Sequence, residues 1–235
     1  MRFAAVHVTA SAIDIVVPTL NAATTLTGTL RCLQSAREAG LVHQVIIVDG
    51  GSSDGTQDTA RAFAATVIAS GRGRGRQLAR GAAVSTAPWL LFLHADTRLL
   101  PGWEREVGAF IRQGTGRAAV FRLRFDDSAA LARWLERAVS WRTGLLGLPY
   151  GDQGLLISRE LYDAVGGFRD MPLMEDVDLV RRLGRKRLLL LGSIAETSAR
   201  RYRRSGYPIR AARNLIVLSL YFCGVPPRVL ARLYG

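Results

Sequence analysis

Trp89 to Leu93 is an unbroken run of large apolar residues, entered from Pro88 and followed at once by His94-Ala95-Asp96-Thr97. A run of that kind reads as a strand buried on both faces, as strands are inside a parallel sheet. Its carboxyl end then delivers an imidazole and a carboxylate to the edge where ligands of open α/β sheets bind. A lone His-x-Asp is by itself a loop with a capping residue. Its weight comes from what the rest of the chain brings to the same edge.

Ile13–Val17 is a first β-branched strand, ended by Pro18, and a helix follows to about Ala39, closed by Gly40. Val45–Val48 is a second buried strand and runs into Asp49-Gly50-Gly51-Ser52-Ser53-Asp54-Gly55. Asp54 with Gln57 resembles a capping box for a helix over Thr56–Ala65. Val67–Ala69 is a third strand, Gly71–Arg76 a Gly/Arg loop, and Gln77–Ser85 the helix before Trp89. Strands alternating with helices predict a mostly parallel, doubly wound sheet, which puts Asp49 and Asp96 on one edge.

In the second half Ala118–Phe125 reads as a strand. Ser128–Arg142 reads as a helix whose Leu131, Trp134, Leu135 and Ala138 face the core while Arg133 and Arg137 turn away. Gly144–Gly154 reads as a flexible loop, Met174–Arg182 as a helix and Leu188–Leu191 as a last strand. The tail holds an Arg-dense stretch, Ser198–Arg204, and an apolar one, Leu215–Val225. A buried helix and an interfacial helix beside a basic segment both fit it.

The 32 Lys+Arg against 19 Asp+Glu, almost all Arg, give +13 and call for an anionic partner. Cys32 and Cys223 match no metal spacing and suit a reduced, cytoplasmic chain. Met1–Ala12 lacks the apolar core of a leader, and no run reaches the ~18 apolar residues of a membrane span. Location at the inner face of a membrane and assembly as a homo-oligomer remain compatible with these features.

The glycines after Asp49 let a ligand approach the backbone. Gly71–Arg76 offers amide groups and Arg charge to a diphosphate, a better reading here than an RGG-type nucleic-acid tract. Glu175, Asp176 and Asp178 cluster in an otherwise basic sequence, so a catalytic carboxylate fits as well as ordinary acids of a first helical turn.

Together Val17–Asn21, Val48–Thr56, Gly81–Ala87, Leu93–Thr97 and Glu175–Leu179 resemble the family-2 glycosyltransferases, in that order and over about Ile13 to Leu183. More narrowly, Gly73–Gln77, Leu93–Thr97, Leu148–Gln153, Pro172–Val177 and Thr197–Tyr202 resemble the bacterial radical-SAM/selenodomain-associated transferase 2 subgroup.

The resemblance implies an α/β GT-A-type (Rossmann-like) fold with C-terminal helices. A transferase domain would cover 1–207, with a nucleotide-binding half over about 13–100 and an acceptor side over 101–207, and 208–235 would be a helical extension. It implies that Pro18, Thr19 and Asn21 line the nucleotide pocket and that Asp49, with Gly50, holds a nucleobase, typically uracil. Arg74 and Arg76 would face the diphosphate, Gln77 would belong to the donor-binding set, and Gly151-Asp152-Gln153 would border donor sugar and acceptor. Asp96 matches the second acid of an Asp-x-Asp metal motif for Mg²⁺ or Mn²⁺, and Asp176, beside Glu175, the general base. Arg201, with Arg200, stands where processive relatives carry a basic segment. His94 departs from the pattern by replacing the first acid, and Ala79 stands where many relatives have Asn.

The implied activity is inverting transfer from a nucleotide-diphospho-sugar, UDP-sugar favoured, to a small-molecule or lipid acceptor, with a peripheral membrane contact through the Arg-rich C-terminal region. A nucleotidyltransferase is the alternative enzyme, although Pro18–Asn21 lacks the Gly-rich basic loop of that class. An Arg-rich RNA-binding module leaves Asp49, Asp96 and Asp176 unexplained, so no specific nucleic-acid partner is expected.

Overall fold

The computed structural model describes residues 12–114 and 116–234. The expectation made for a leader concerns residues 1–11 and lies outside them. The chain runs β1 (Ile13–Thr19), α1 (Ala23–Arg31), α2 (Gln34–Glu38), β2 (Val42–Asp49), α3 (Thr56–Ala62), β3 (Thr66–Ala69), α4 (Arg74–Val84) and β4 (Trp89–Phe92). It continues through β5 (Thr97–Leu99), α5 (Trp103–Arg112), β6 (Ala118–Phe125), α6 (Ala130–Leu146), β7 (Leu155–Ser158), α7 (Arg159–Ala164), α8 (Glu175–Leu183) and β8 (Leu188–Thr197). Three helices follow: α9 (Arg200–Ser205), α10 (Tyr207–Phe222) and α11 (Pro227–Tyr234).

One 8-stranded sheet has the order β3-β2-β1-β4-β7-β6-β8-β5. It is mostly parallel, with β7 antiparallel to β4 and β6, and β5 antiparallel to β8. Leu155 pairs with Phe92 and Thr97 with Thr197. The starts of β7 and β5 therefore lie at the edge where β4 and β8 end, the edge on which the site is built. The step from Phe92 to Thr97 reaches at most ~18 Å, whereas four strand spacings in a flat sheet are about 19 Å. The sheet must curl for β4 to hand over to β5.

Alternate residues of the central strands serve two cores. Ile15, Val17, Ile47 and Leu91 pack against Leu26, Leu30 and Leu33 of the α1–α2 side. Val16, Ile46, Val48, Leu90 and Phe92 pack against Leu78 and Ala82 of α4. The Trp89 run is thus buried on both faces, as its unbroken apolarity requires.

Several elements differ from the sequence reading. β1 continues through Pro18 to Thr19, because β4 has ended there and no ladder needs the missing N–H. The first helix breaks at Cys32–Leu33, where the Cys32 carbonyl accepts from Trp103 Nε1 at 3.3 Å. No capping box forms: Asp54 accepts from the Thr56 and Ala23 amides at 3.1 and 3.0 Å, and Gln57 reaches Asp49 instead. α4 starts at Arg74, so half of the Gly/Arg loop is helix. α6 runs on to Leu146 and Gly151–Gln153 is a 3₁₀ turn, so the Gly144–Gly154 loop is largely ordered backbone. β8 reaches Thr197, past an irregularity whose Gly192 and Ser193 amides are held by Glu106 at 2.7 and 2.6 Å. β5, α5, β7 and α7 carried no expectation.

α6 is rotated from its expected orientation: Leu135 packs inward and Arg137 faces out as expected, but Leu131 and Trp134 do not face the core. Ala132 and Val139 join the core with partly buried Leu135, while Leu131, Trp134 and Trp141 are exposed. The tail helix takes a middle course: Val217 and Leu218 of α10 pack with Leu230 of α11 against Met174 and Val177.

Candidate active site

The end of β4, the turn before β7 and the first turn of α8 meet at one place. The Gly151 amide donates to Asp176 Oδ2 at 2.7 Å, and the Val177 amide to Asp176 Oδ1 at 2.8 Å. A Cβ on Gly151 would stand 2.6 Å from His94 Nε2 and 3.3 Å from Asp176 Oδ2. Gly151 can therefore pack against both His94 and Asp176 only because it has no side chain. All three line a small cleft with Glu175, Tyr150 and an apolar back wall including Phe92, Leu155 and Phe168. Met174, just before α8, is held at φ 66, an uncommon conformation for a non-glycine residue.

Charge is arranged around this cleft. Arg74, at the start of α4, forms an ion pair with Glu175, whose side chain is 1% exposed. Burial pushes the Glu175 carboxyl up and Arg74 opposes it. The carboxyls of Glu175 and Asp176 hold Arg74 charged against the cost of its burial. Burial, with Arg74 and Arg201 nearby, lowers His94 to about 3, so its imidazole is neutral at pH 7. Burial raises Asp96, with Arg201 and Arg74 acting the other way. Asp152 is pushed up to about 6, first by burial and then by Asp176 and Asp96, while Arg142 and Arg74 pull it down.

Two buried carboxylate oxygens here, Asp152 Oδ1 and Glu175 Oε2, have no hydrogen-bond partner. Among the described residues no three acidic, His or Cys side chains form a complete metal cage. A cation at Asp96 would need oxygens from a ligand to fill its shell, which Mg²⁺ and Mn²⁺ accept readily. The donor set fits that use.

Asp49 sits two strands from β4, roughly 10 Å across the sheet. It is 1% exposed and accepts from Thr19 Oγ1 at 3.1 Å, Gly51 N at 3.2 Å, Ser52 N at 2.9 Å, Ser52 Oγ at 2.5 Å and Gln57 Nε2 at 2.9 Å. Burial alone would raise its pKa, but these hydrogen bonds together lower it. The Asn21 amide donates to Ser52 Oγ at 2.8 Å, and Asn21 Oδ1 accepts from the Ser53 amide at 3.0 Å, with Asn21 at φ 50. Pro18 is half-buried beside this loop. Gln77 ties the two strand ends, donating to the carbonyls of Thr19 at 2.8 Å and Val48 at 2.7 Å. One turn of α4 separates it from Arg74, so that helix joins the two halves of the edge.

Several residues differ from their expected places. Gln77 is buried, with its amide hydrogens on main-chain carbonyls, and braces Gly50 from below rather than facing a ligand. Gln153 is fully buried, between Thr143 Oγ1 at 2.9 Å and the Phe121 carbonyl at 3.0 Å. Arg76 lies about 200° around α4 from Arg74 and pairs with Asp170 at 2.7 Å, away from the cleft. Asp178 pairs with Arg182 at 2.7 Å and Arg169 at 3.2 Å, which separates it from Glu175 and Asp176.

The sequence reading passed over Arg142, which stacks 3.7 Å over the Tyr150 ring and acts on Asp152. Its only signal was proximity to the Leu148–Gln153 motif. Tyr234, which acts on Arg74 and Tyr150, had none.

Known proteins place these features in context. The PGL/p-HBAD biosynthesis glycosyltransferases of Mycobacterium tuberculosis and Mycobacterium bovis are 38% identical over 94 residues, which is 37% of this chain and 36% of theirs. The chain thus aligns with about a third of the length of those curated relatives. The structure of a mycobacterial protein superposes with a TM-score of 0.62 at 24% identity, over 92% of this chain and 76% of that one. Glucosyl-3-phosphoglycerate synthase from Mycobacterium tuberculosis, in complex with Mn²⁺ and UDP-Glc, gives 0.62 at 22% identity, over 92% and 80%. At such identities the likeness is one of fold, and the fold is the GT-A type that the motifs implied. A sequence model described as Glycosyl transferase family 2 matches residues 14–173, from β1 to the loop before α8. Since that match takes in most of the chain, with Asp49 at the end of β2 and Asp96 in the turn after β4, the protein belongs to glycosyl transferase family 2.

Proposed function

We propose that this protein transfers a sugar from a nucleotide-diphospho-sugar, UDP-sugar favoured, to a hydroxyl acceptor with inversion, Asp176 acting as general base. The observation that carries the reading is the contact of Asp176 Oδ2 with the Gly151 amide at 2.7 Å, where Gly151 also approaches His94 and the charges of Asp176 and Asp96 both act on Asp152. That bond fixes the carboxylate in the cleft wall, which supports its use as the base toward an acceptor hydroxyl.

The roughly 10 Å from the Asp49 loop to the end of β4 suits a nucleoside diphosphate lying along the edge. The base would rest against Thr19, Asn21 and Gly50, and would take the place of one side-chain donor on Asp49, Gln57 being on a flexible arm. Asp96, with Asp152 beside it, would hold a Mg²⁺ or Mn²⁺ ion that supplies positive charge against the leaving diphosphate. Arg201 adds charge from the protein. Arg74, committed to Glu175, keeps that carboxylate compensated and orients the first turn of α8. Neutral His94 can donate or accept one hydrogen bond without adding charge.

The synthase of similar fold was solved with Mn²⁺, UDP-glucose and phosphoglyceric acid, which supports the donor class; its acceptor is not carried over. The acceptor proposed is a small molecule or a lipid carrying a free hydroxyl. The test is a pair of measurements on Asp176→Asn: UDP binding with Mn²⁺ by calorimetry, and turnover of a UDP-sugar panel. Binding is expected to persist while transfer falls about 100-fold or more; near-parent turnover would overturn the base assignment.

A further inference from the structure

We propose that the outward face of α6, with the arginines of α9 beside it, docks the protein on an anionic lipid surface. Leu131, Trp134, Trp141 and Leu145 are 51%, 63%, 65% and 44% exposed. At about 100° per residue they fall within roughly 60° of the Trp134 direction, with Ala138 among them. The opposite face of the same helix is fully used, through Ala132, Leu135 and Val139. Two large indoles held in water on one rigid helix face exceed what scattered surface apolar residues explain. They are the side chains that settle at the boundary between headgroups and acyl chains.

Charge selects lipid over a second copy of the chain. Arg137 is exposed at the margin of the stripe. α9, whose Tyr202 shares a core cluster with the inner face of α6, exposes Arg200 and Arg204. Two copies meeting on this face would oppose these like charges, on a chain whose net charge is +13. Anionic headgroups complement them. No described helix is long and apolar enough to cross a membrane, so the contact lies in the surface.

The stripe ends at the cleft. Leu146 closes α6, and within five residues the chain supplies Pro149, Tyr150 and Gly151 to the cleft wall. Docking along α6 therefore anchors the chain at the lipid surface within five residues of the cleft wall. That this delivers a lipid-borne acceptor rests on the transferase reading; the docking itself does not.

The test is co-sedimentation with vesicles of equal parts phosphatidylglycerol and phosphatidylcholine, and with phosphatidylcholine alone, for the parent and for Trp134→Ser/Trp141→Ser. The parent is expected to pellet with the anionic vesicles and the double variant at least about tenfold less. Because Trp89 and Trp103 are only 9% and 1% exposed, brominated lipid in the anionic vesicles should quench the exposed indoles of the parent. Parent protein that neither pellets nor is quenched, or a double variant that pellets like the parent, overturns the proposal. So does a variant that turns a dimer into a monomer in sedimentation velocity with vesicle binding unchanged. UDP titration of both proteins reports on the transferase reading separately.

Discussion

Gly151 and Asp176 are joined by a 2.7 Å bond from the Gly151 amide to Asp176 Oδ2, and the Gly151 Cα faces His94 so closely that a Cβ would stand 2.6 Å from Nε2. Gly151 does not have a positive φ, so an alanine there is opposed by crowding and not by backbone strain. Gly151→Ala should displace the turn or the imidazole and lower turnover about 100-fold. The melting temperature should move little. Steady-state kinetics beside a thermal melt checks this; unchanged turnover would show that the contact is incidental.

Arg74 and Glu175 form an ion pair in which Glu175 is buried and only the Arg74 side chain reaches solvent. Arg74→Met leaves a buried carboxylate uncompensated and should cost about 3–5 kcal/mol. Replacing both, Arg74→Met with Glu175→Met, should recover most of that loss, because no lone charge remains. Urea unfolding of the two variants measures it. A double variant as unstable as the single one would assign the loss to packing.

Gly81 lies in α4, where alanine would ordinarily favour the helix by about 1 kcal/mol. Here its Cβ would stand 2.3 Å from Val16 Cγ1 and 2.9 Å from Val48 Cγ2, on β-branched side chains of the sheet. Gly81→Ala should therefore destabilise by about 2 kcal/mol and lower the melting temperature by roughly 4–8 °C. A variant that melts higher than the parent would mean that α4 moves off the sheet at little cost.

Asp14 is fully buried at the far side of β1 and accepts from Ser85 Oγ, the Thr86 and Ala87 amides, His43 Nδ1 and Gln44 Nε2. Burial pushes its carboxyl up, but the donors together bring it below the ordinary 3.8. A depressed folded-state pKa contributes stability that is present above the unfolded value and is lost as pH falls through the folded one. Asp14→Asn should cost on the order of 1–3 kcal/mol at pH 7. The gap between variant and parent should close below about pH 4. Denaturant titrations at several pH values test the sign: a gap that widens in acid would refute it.

The order of the first strands, their burial on both faces and the delivery of Asp49, His94 and Asp96 to one edge were legible in the amino-acid sequence. Apolar runs and their turns are local signals, and parallel order follows from helices that alternate with strands. Pairings between distant parts of the chain were settled only in three dimensions. Whether Arg74 faces a ligand or Glu175, whether Gln77 and Gln153 point into the cleft or into the core, and which carboxylates share their field depend on chain segments as far as 101 residues apart. The outward turn of α6 has the same origin. Helical spacing shows that Leu131, Trp134 and Trp141 share a side, but only the neighbours that fill the other side, Phe125, Ala199 and Tyr207, decide which one meets water.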